Sequence, residues 1–274
     1  MHKLYYSDYC AQSRNCVALE YRYPQEEFPE HYHDFNEIFI VDGGSGIHVL
    51  NDYPYSVNSG MFFYLNARDR HLFEQVEDLK LVNILYRSEA DFSFIRNFSH
   101  LLPKEEDGCV WNIGLELKKQ ALSLLAELNR HVDNDPIIES CRRENLFLRI
   151  LLLLRNSRYR INQNDSNQDK LQQLLLFLQQ NRLEEINWEA LSHQFYLTPR
   201  TLHRQFVSQT GQTPQKYLNN LRLNRAKCLL KISDRSLTDI AFFCGFGDSN
   251  NFSTLFKKAF GISPSQMRRR YSLS

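Results

Sequence analysis

An internal repeat constrains this chain more than any other feature. Shifted by 50 residues, the sequence places Leu202 on Phe252, Phe206 on Phe256, Gly211 on Gly261 and Pro214 on Pro264 without a gap. Each copy reads as a short helix (about 188–195, then 237–243), a tight turn and a second helix (199–210, then 249–260). Thr198 sits where a helix N-cap is expected, with Pro199 at the first helical position, and Asp248 takes the same place in the other copy. Gly211 and Gly261 close the second helices, because glycine reaches the left-handed conformation that ends a helix. A longer helix from Pro214 to about Leu230 bridges the copies. Leu202 and Phe206, like Phe252 and Phe256, recur at i and i+4 and so face a core.

Charge is divided unevenly around this repeat. Residues 170–274 hold 15 Lys/Arg against 6 Asp/Glu, a net of +9, whereas residues 1–169 carry −8. A basic half built of helix-turn-helix units suits a polyanion, and a second helix presented this way fits the DNA major groove. On the non-core faces stand Arg200, His203 and Arg204 in the first unit, and Ser249, Asn250, Asn251, Thr254 and Lys257 in the second. Arginine forks match guanine O6 and N7, asparagine pairs with adenine, and Lys257 suits a phosphate. Two acids sit oddly here, since an acid repels phosphate. Asp239 is either a first-turn acid favoured by the helix dipole or a protein contact; Asp248 is either a helix cap or a protein contact.

The stretches "LTPRTLHRQFVSQTGQTPQKYLNNLRLNRAKCLL" and "LTDIAFFCGFGDSNNFSTLFKKAFGISPSQMRR" resemble the AraC/XylS family of bacterial transcription regulators. Many members of that family have a small residue where Phe195 stands. The resemblance continues through "FPEHYHDFNEIFIV", "GIHVLNDYPY", "DRHLF" and "LLPKEEDG", and so covers nearly the whole chain. It implies a homodimer that responds to L-rhamnose or a related sugar and binds double-stranded promoter DNA at direct-repeat half-sites. The two recognition helices would enter successive major-groove segments about 34 Å apart. It also implies that Asp239 and Asp248 meet the sigma subunit of RNA polymerase. A regulator of another sugar, or a repressor, is the alternative.

From about 17 to 100 the chain reads as short strands separated by turns. "EIFIVDGGSGIHVLNDYPYSV" looks like two runs split by a Gly/Ser turn, with Asn51-Asp52 marking the next turn. Strands at this spacing suggest a barrel or sandwich. Two helical stretches follow. In one, Leu117, Ala121, Leu124, Leu128 and Val132 lie near one face, and the region 115–132 is a candidate dimer surface. The other, "ENLFLRILLLLRN", is apolar on most sides. Residues 157–169 are polar without period and read as a linker. The expected organisation is a mixed fold: a cupin-like β-barrel with following helices over 1–156, the linker, and an all-α domain with two helix-turn-helix units over 170–274.

The run from His31 to Gly44, H-x-H-x-x-x-E-x6-G, resembles the first motif of the cupin barrel, and Gly60 to His71 resembles the second in weakened form. That resemblance implies a ligand set of His31, His33, Glu37 and His71 for a divalent transition metal. His31, His33 and Glu37 share strand parity, so all three face one side if the strand is unbroken. Direct polar contacts to a sugar, a bound metal, and a structural hydrogen-bond cluster remain three open readings. Asp34 and Asn36 have the opposite parity. Arg68, Asp69 and Arg70 stand beside His71, and Arg68 joins the candidate sugar contacts. Trp111 is either a stacking platform or core. A metal-dependent cupin enzyme fused to a DNA-binding domain is a different class of answer, disfavoured by the paired helix-turn-helix units.

Cys10, Cys16, Cys109, Cys141, Cys228 and Cys244 form no C-x-x-C pair and read as reduced thiols of a cytoplasmic protein. "MHKLYYSDYC" lacks a signal-peptide core, and "ILLLL" at 150–154 is too short to span a bilayer, so no membrane partner is expected.

Overall fold

A computed structural model of the protein describes residues 2–10, 16–103, 109–157 and 164–272. The chain separates into two units, Met1–His48 with Val57–Arg160, and Val49–Ser56 with Ile161–Ser274.

The sheet-rich part contains β1 (His2–Leu4), β2 (Ala18–Arg22), β3 (Phe28–His33), β4 (Asn36–Leu50), β5 (Tyr53–Asn58), β6 (Met61–Leu65), β7 (His71–Tyr86) and β8 (Val110–Asn112). They form one sheet in the order β1-β3-β7-β4-β6-β8, with β2 also paired to β7 and β5 to β4. The 16-residue β7 organises it. Its start opposes β3, with His71 facing His31, and its end opposes β2, with Asn83 facing Glu20.

The strands are longer than the turn signals suggest. Gly43 to Gly46 do not form a turn between two runs; β4 passes straight through them. Gly44 has φ +74, and a Cβ there would lie 2.1 Å from the Asp78 carbonyl oxygen. The glycine thus permits a close backbone approach at a bend, a role that sequence alone does not separate from a turn. The real reversal is at Asn51 and Asp52, both with positive φ, as a two-residue hairpin loop demands.

Helices α1 (Gly114–Leu128) and α2 (Pro136–Asn156) pack Ala121, Leu124, Leu125 and Leu128 against Leu146, Phe147, Ile150, Leu151 and Leu154. Val132 does not belong to the buried face: α1 ends at Leu128 and Val132 is 65 % exposed. Trp111 stacks on Phe62 at 5.0 Å inside this core, so it is a packing residue, not a platform in the cleft. Glu144, almost fully buried on α2, accepts hydrogen bonds from the backbone N–H groups of Ser93, Phe94 and Ile95.

The second unit contains α3 (Asn167–Gln180), α4 (Trp188–Gln194), α5 (Pro199–Thr210), α6 (Pro214–Ile232), α7 (Leu237–Phe243), α8 (Ser249–Phe260) and α9 (Pro264–Ser272). Part of the segment read as a linker, 158–163, lies outside the described residues. Its last residues are helical, because the Ser166 side chain accepts from the Asp169 N–H and starts α3 at Asn167. The polar composition concealed that cap. Within this unit the buried Arg182 guanidinium lies 4.1 Å from the ring centroid of Tyr53, and Arg225 lies 4.6 Å from the same ring.

Candidate nucleic-acid interface and effector cleft

The repeat folds into two helix-turn-helix units, α4–α5 and α7–α8, around α6. Leu202 and Phe206 are buried in the first, Phe252 and Phe256 in the second. Gly211 and Gly261 end α5 and α8 with φ of +67 and +77. The Thr198 hydroxyl accepts from the Thr201 N–H, and the Asp248 carboxylate accepts from Asn250 and Asn251, so both are helix caps.

The two turns differ by one residue, which corrects the placing of the small turn residue at Phe195. Leu197 N–H bonds Ser192 carbonyl as Phe246 N–H bonds Ala241 carbonyl, and Tyr196 N–H bonds His193 as Gly245 bonds Phe242. Phe195 therefore matches the buried Cys244, and the left-handed turn position belongs to Tyr196 (φ 52) and Gly245 (φ 84). The extra residue of the second unit enters before Asp248, so the recognition helices align at a shift that the leading helices do not.

Arg200, His203 and Arg204 are exposed on α5, and Asn250, Asn251, Thr254 and Lys257 on α8; Ser249 is half-buried. The core residues hold one face of each helix inward and turn these side chains outward. Asp239 is exposed on α7, where its carboxylate accepts from the Ser236 hydroxyl at 2.7 Å.

At the β3–β7 end of the sheet an open cleft is lined by His31, His33, Glu37 and His71 together with Glu20, Arg22, Gln25 and Asn83. Apolar rings line it too, among them Tyr9 and Phe73, with Phe28 against His31 at 4.6 Å and Phe35 stacked on His33 at 4.3 Å. The strand carrying the H-x-H motif breaks at Asp34, yet Glu37 is still buried with the histidines: β4 begins at Asn36 and pairs with β7, as β3 does. His33 Nε2 lies 3.2 Å from Glu37 Oε2 and His71 Nε2 3.8 Å from the same oxygen. Their exposures are 1 %, 5 % and 2 % for His33, Glu37 and His71.

Of the expected ligand set, three members converge and one does not. Donor atoms of His33, Glu37 and His71 lie within 4.8 Å of one another, and His31 is not in that group. Its Nδ1 faces the Pro29 carbonyl at 2.9 Å, while its ring packs 4.1 Å from that of His71. Arg68 does not line the cleft: it is exposed with φ +78, and its backbone N–H bonds the His33 carbonyl. Arg70 is 3.8 Å from Glu30.

Burial depresses the imidazolium form of His31. In His33 burial acts the same way, but the Glu37 carboxylate beside its ring outweighs it and the pKa rises. His71 is held well below the usual range, first by burial and then by the neighbouring His48, His31 and His33. His48 was absent from the candidates, although its place in the alternating "GIHVL" puts it inward. It is fully buried, which lowers its pKa to about 3, and its Nε2 lies 3.1 Å from His71 Nδ1. Glu20, Arg22 and Asn83 were also missed, because strand pairing, not local sequence, carries them to the cleft.

Among the described residues no helix is long and apolar enough to cross a membrane. Residues 15–177 match the AraC-like ligand binding domain, and residues 191–270 match a helix-turn-helix domain. The HTH-type transcriptional activator RhaS of Escherichia coli is 43% identical over 98% of both chains, and its Shigella sonnei counterpart is 44% identical over the same shares. A crystal structure of an AraC-type transcriptional regulator from Chromobacterium violaceum is 31% identical, spans 38% of this chain and 93% of its own, and superposes with a TM-score of 0.36. With a ligand-domain match over more than half its length and full-length relatives of this identity, the chain belongs to the AraC family of DNA-binding transcription regulators.

Proposed function

We propose that the protein is a cytoplasmic, sugar-responsive transcription activator whose effector is L-rhamnose or a close relative, bound in the His33–Glu37–His71 cleft. The observation that carries this reading is the identity of 43–44% to RhaS along essentially the entire chain. The cleft's chemistry supports it. Its lining offers Glu20, Arg22, His31, His33, Glu37, His71 and Asn83 to hydroxyl groups, and aromatic and aliphatic carbon to the methyl group of a 6-deoxyhexose.

The active species is a homodimer on two direct-repeat half-sites. Each half-site is read by Arg200, His203 and Arg204 from α5 and by Ser249, Asn250, Asn251, Thr254 and Lys257 from α8. Asp239 and Asp248, the acids of the second unit, engage a basic surface of the polymerase sigma subunit. Exposed side chains on α1 within 115–132 supply the dimer contact.

Footprinting of the full-length protein on a promoter with two such half-sites, with and without L-rhamnose, tests the reading. Protection that strengthens with L-rhamnose and not with L-fucose or L-arabinose supports it. Equal protection with every sugar, or with none, sinks the assignment of the effector.

A further inference from the structure

We propose that His33, Glu37 and His71 form a binding site for one divalent first-row transition-metal ion, held by His33 Nε2, a Glu37 carboxylate oxygen and His71 Nε2. His48 is its positioning residue, fixing the ring of His71 from behind.

Three features of the cluster lead there. First, the donor atoms of these three buried residues all lie within 4.8 Å of one another, a spacing that a single ion can span. Second, the rings are turned so that their Nε2 atoms are left over. His33 Nδ1 is 2.6 Å from the Phe35 carbonyl oxygen. A carbonyl only accepts, so Nδ1 carries the ring proton and Nε2 of the neutral ring is a lone pair. That lone pair approaches Glu37 Oε2 at 3.2 Å without hydrogen-bond alignment, and both His33 Nε2 and His71 Nε2 are buried with no hydrogen-bond partner. Lone pairs converging on a carboxylate repel unless a cation sits among them. A proton on His33 relieves its own contact alone; with the His71 proton on Nδ1, as the His48 contact allows, a metal ion relieves both.

Third, His71 has a fixed partner on its far side. His48 packs edge-on to Phe39 and Phe63 and flat against Phe73, with Nε2 3.1 Å from His71 Nδ1. When His71 donates from Nδ1 to His48, its Nε2 is the lone pair that faces Glu37. A ligating histidine that donates its other N–H to a neighbour is the usual outer-shell arrangement of metal sites. The donor set, two imidazoles and one carboxylate, suits zinc, iron, nickel or manganese and leaves positions open towards the cleft.

His31 lies outside the set, since its Nδ1 is turned to the Pro29 carbonyl. The site therefore separates His31 from His71, two residues that sequence spacing treats alike. The proposal does not rest on the effector's identity, because its test uses no sugar.

The test is cobalt titration of full-length protein stripped with a chelator and free of any histidine tag. Visible d–d absorption should saturate at one cobalt per chain and be displaced by zinc. Glu37→Gln and His71→Asn should each weaken cobalt binding about 100-fold, and His48→Phe about 10-fold. His31→Asn should leave it unchanged, and circular dichroism establishes that each variant is folded. Wild-type protein that shows no saturable cobalt band overturns the site outright. A folded Glu37→Gln that binds cobalt as wild type does overturns the assigned ligand, and loss in His31→Asn equal to that in His71→Asn overturns the three-donor set. Rhamnose-independent footprinting with an intact cobalt band would sink the effector assignment while leaving the metal site standing.

Discussion

Tyr196 and Gly245 occupy the same place in the two helix-turn-helix units, and both are left-handed, with φ of 52 and 84. One unit meets that requirement with glycine and the other pays a steric cost on a residue with a side chain. Tyr196→Gly should therefore stabilise the protein by about 1 kcal/mol. Gly245→Ala should do the reverse and by more, since its Cβ would lie 2.9 Å from Arg222 Nε and 3.0 Å from the Leu183 carbonyl oxygen. Arg222 cannot simply move: its Nε donates to the Arg182 carbonyl at 2.7 Å. Urea midpoints of the two variants check both signs, and a stabilised Gly245→Ala would contradict the turn geometry.

Arg204 and Lys257 should separate the two kinds of DNA contact. Arg204 is exposed on α5 and offers a fork suited to guanine, so Arg204→Ala should cost about 1–3 kcal/mol and relax one base position. Lys257→Ala, on α8, should weaken binding to all sequences alike and lower the salt slope by about one. Binding to a panel of single-base variants at several salt concentrations reads both effects. A uniform loss in Arg204→Ala would move that residue to the phosphate class.

For Asp239 the outcome to measure is activation apart from binding. Asp239 and Ser236 form a reciprocal cap, the Asp239 N–H bonding the Ser236 hydroxyl and that hydroxyl bonding the carboxylate. Asp239→Asn can still accept that bond, so α7 and DNA affinity should persist. Transcription from a saturated promoter should fall at least about tenfold if the carboxylate meets a basic polymerase surface, a loss of roughly 1.4 kcal/mol in a charged contact. Full activation at saturating DNA occupancy would leave Asp239 with its capping role alone. The same experiment on Asp248 is confounded, since its carboxylate holds the first turn of α8.

The helical half was the more legible part of the fold, for a physical reason. Thr198, Pro199, Asp248, Gly211 and Gly261 act within one turn of where they stand, so local sequence carries their meaning. The observed α5 and α8 begin and end where those residues indicate. The sheet was less legible because its meaning lies in pairing. Nothing near Glu20 announces that it faces Asn83, and nothing near Gly44 tells a bend packed on Asp78 from a turn. The cleft stands between these cases. His33 and Glu37 were visible as a spaced motif, but whether His31 joins them depends on a ring orientation set by the Pro29 carbonyl.

Glu144 shows how much a distant pairing can matter to stability. Its carboxylate accepts three consecutive backbone N–H groups, from Ser93, Phe94 and Ile95, at 2.7 to 2.9 Å. Removing it leaves those donors without the acceptor that an irregular segment needs. Glu144→Ala should cost about 3 kcal/mol or more, and Glu144→Gln less, since one oxygen still accepts. Equal midpoints for the two variants in urea would argue that the charge, not the count of acceptors, holds the segment.

Glu139 sets an acid limit on α2. Its carboxylate accepts from Arg142, and this lowers its pKa to about 2; burial opposes the shift, while the Arg142 charge and the N–H groups of Val132 and Asp133 add to it. A carboxylate with a depressed folded pKa binds fewer protons folded than unfolded. Its contribution is therefore fully present above the unfolded value near pH 4.5 and is lost as pH falls towards about 2. The side chain is only 9 % exposed by area, but the packing over it is shallow, so solvent screening trims the gain to about 1 kcal/mol. Glu139→Gln should thus be less stable than wild type by about 1 kcal/mol at about pH 6, and the gap should close progressively below about pH 4. Urea denaturation of both proteins across that range measures the gap directly. A difference that stays constant with pH would assign the effect to packing of the side chain against Arg142 rather than to its charge.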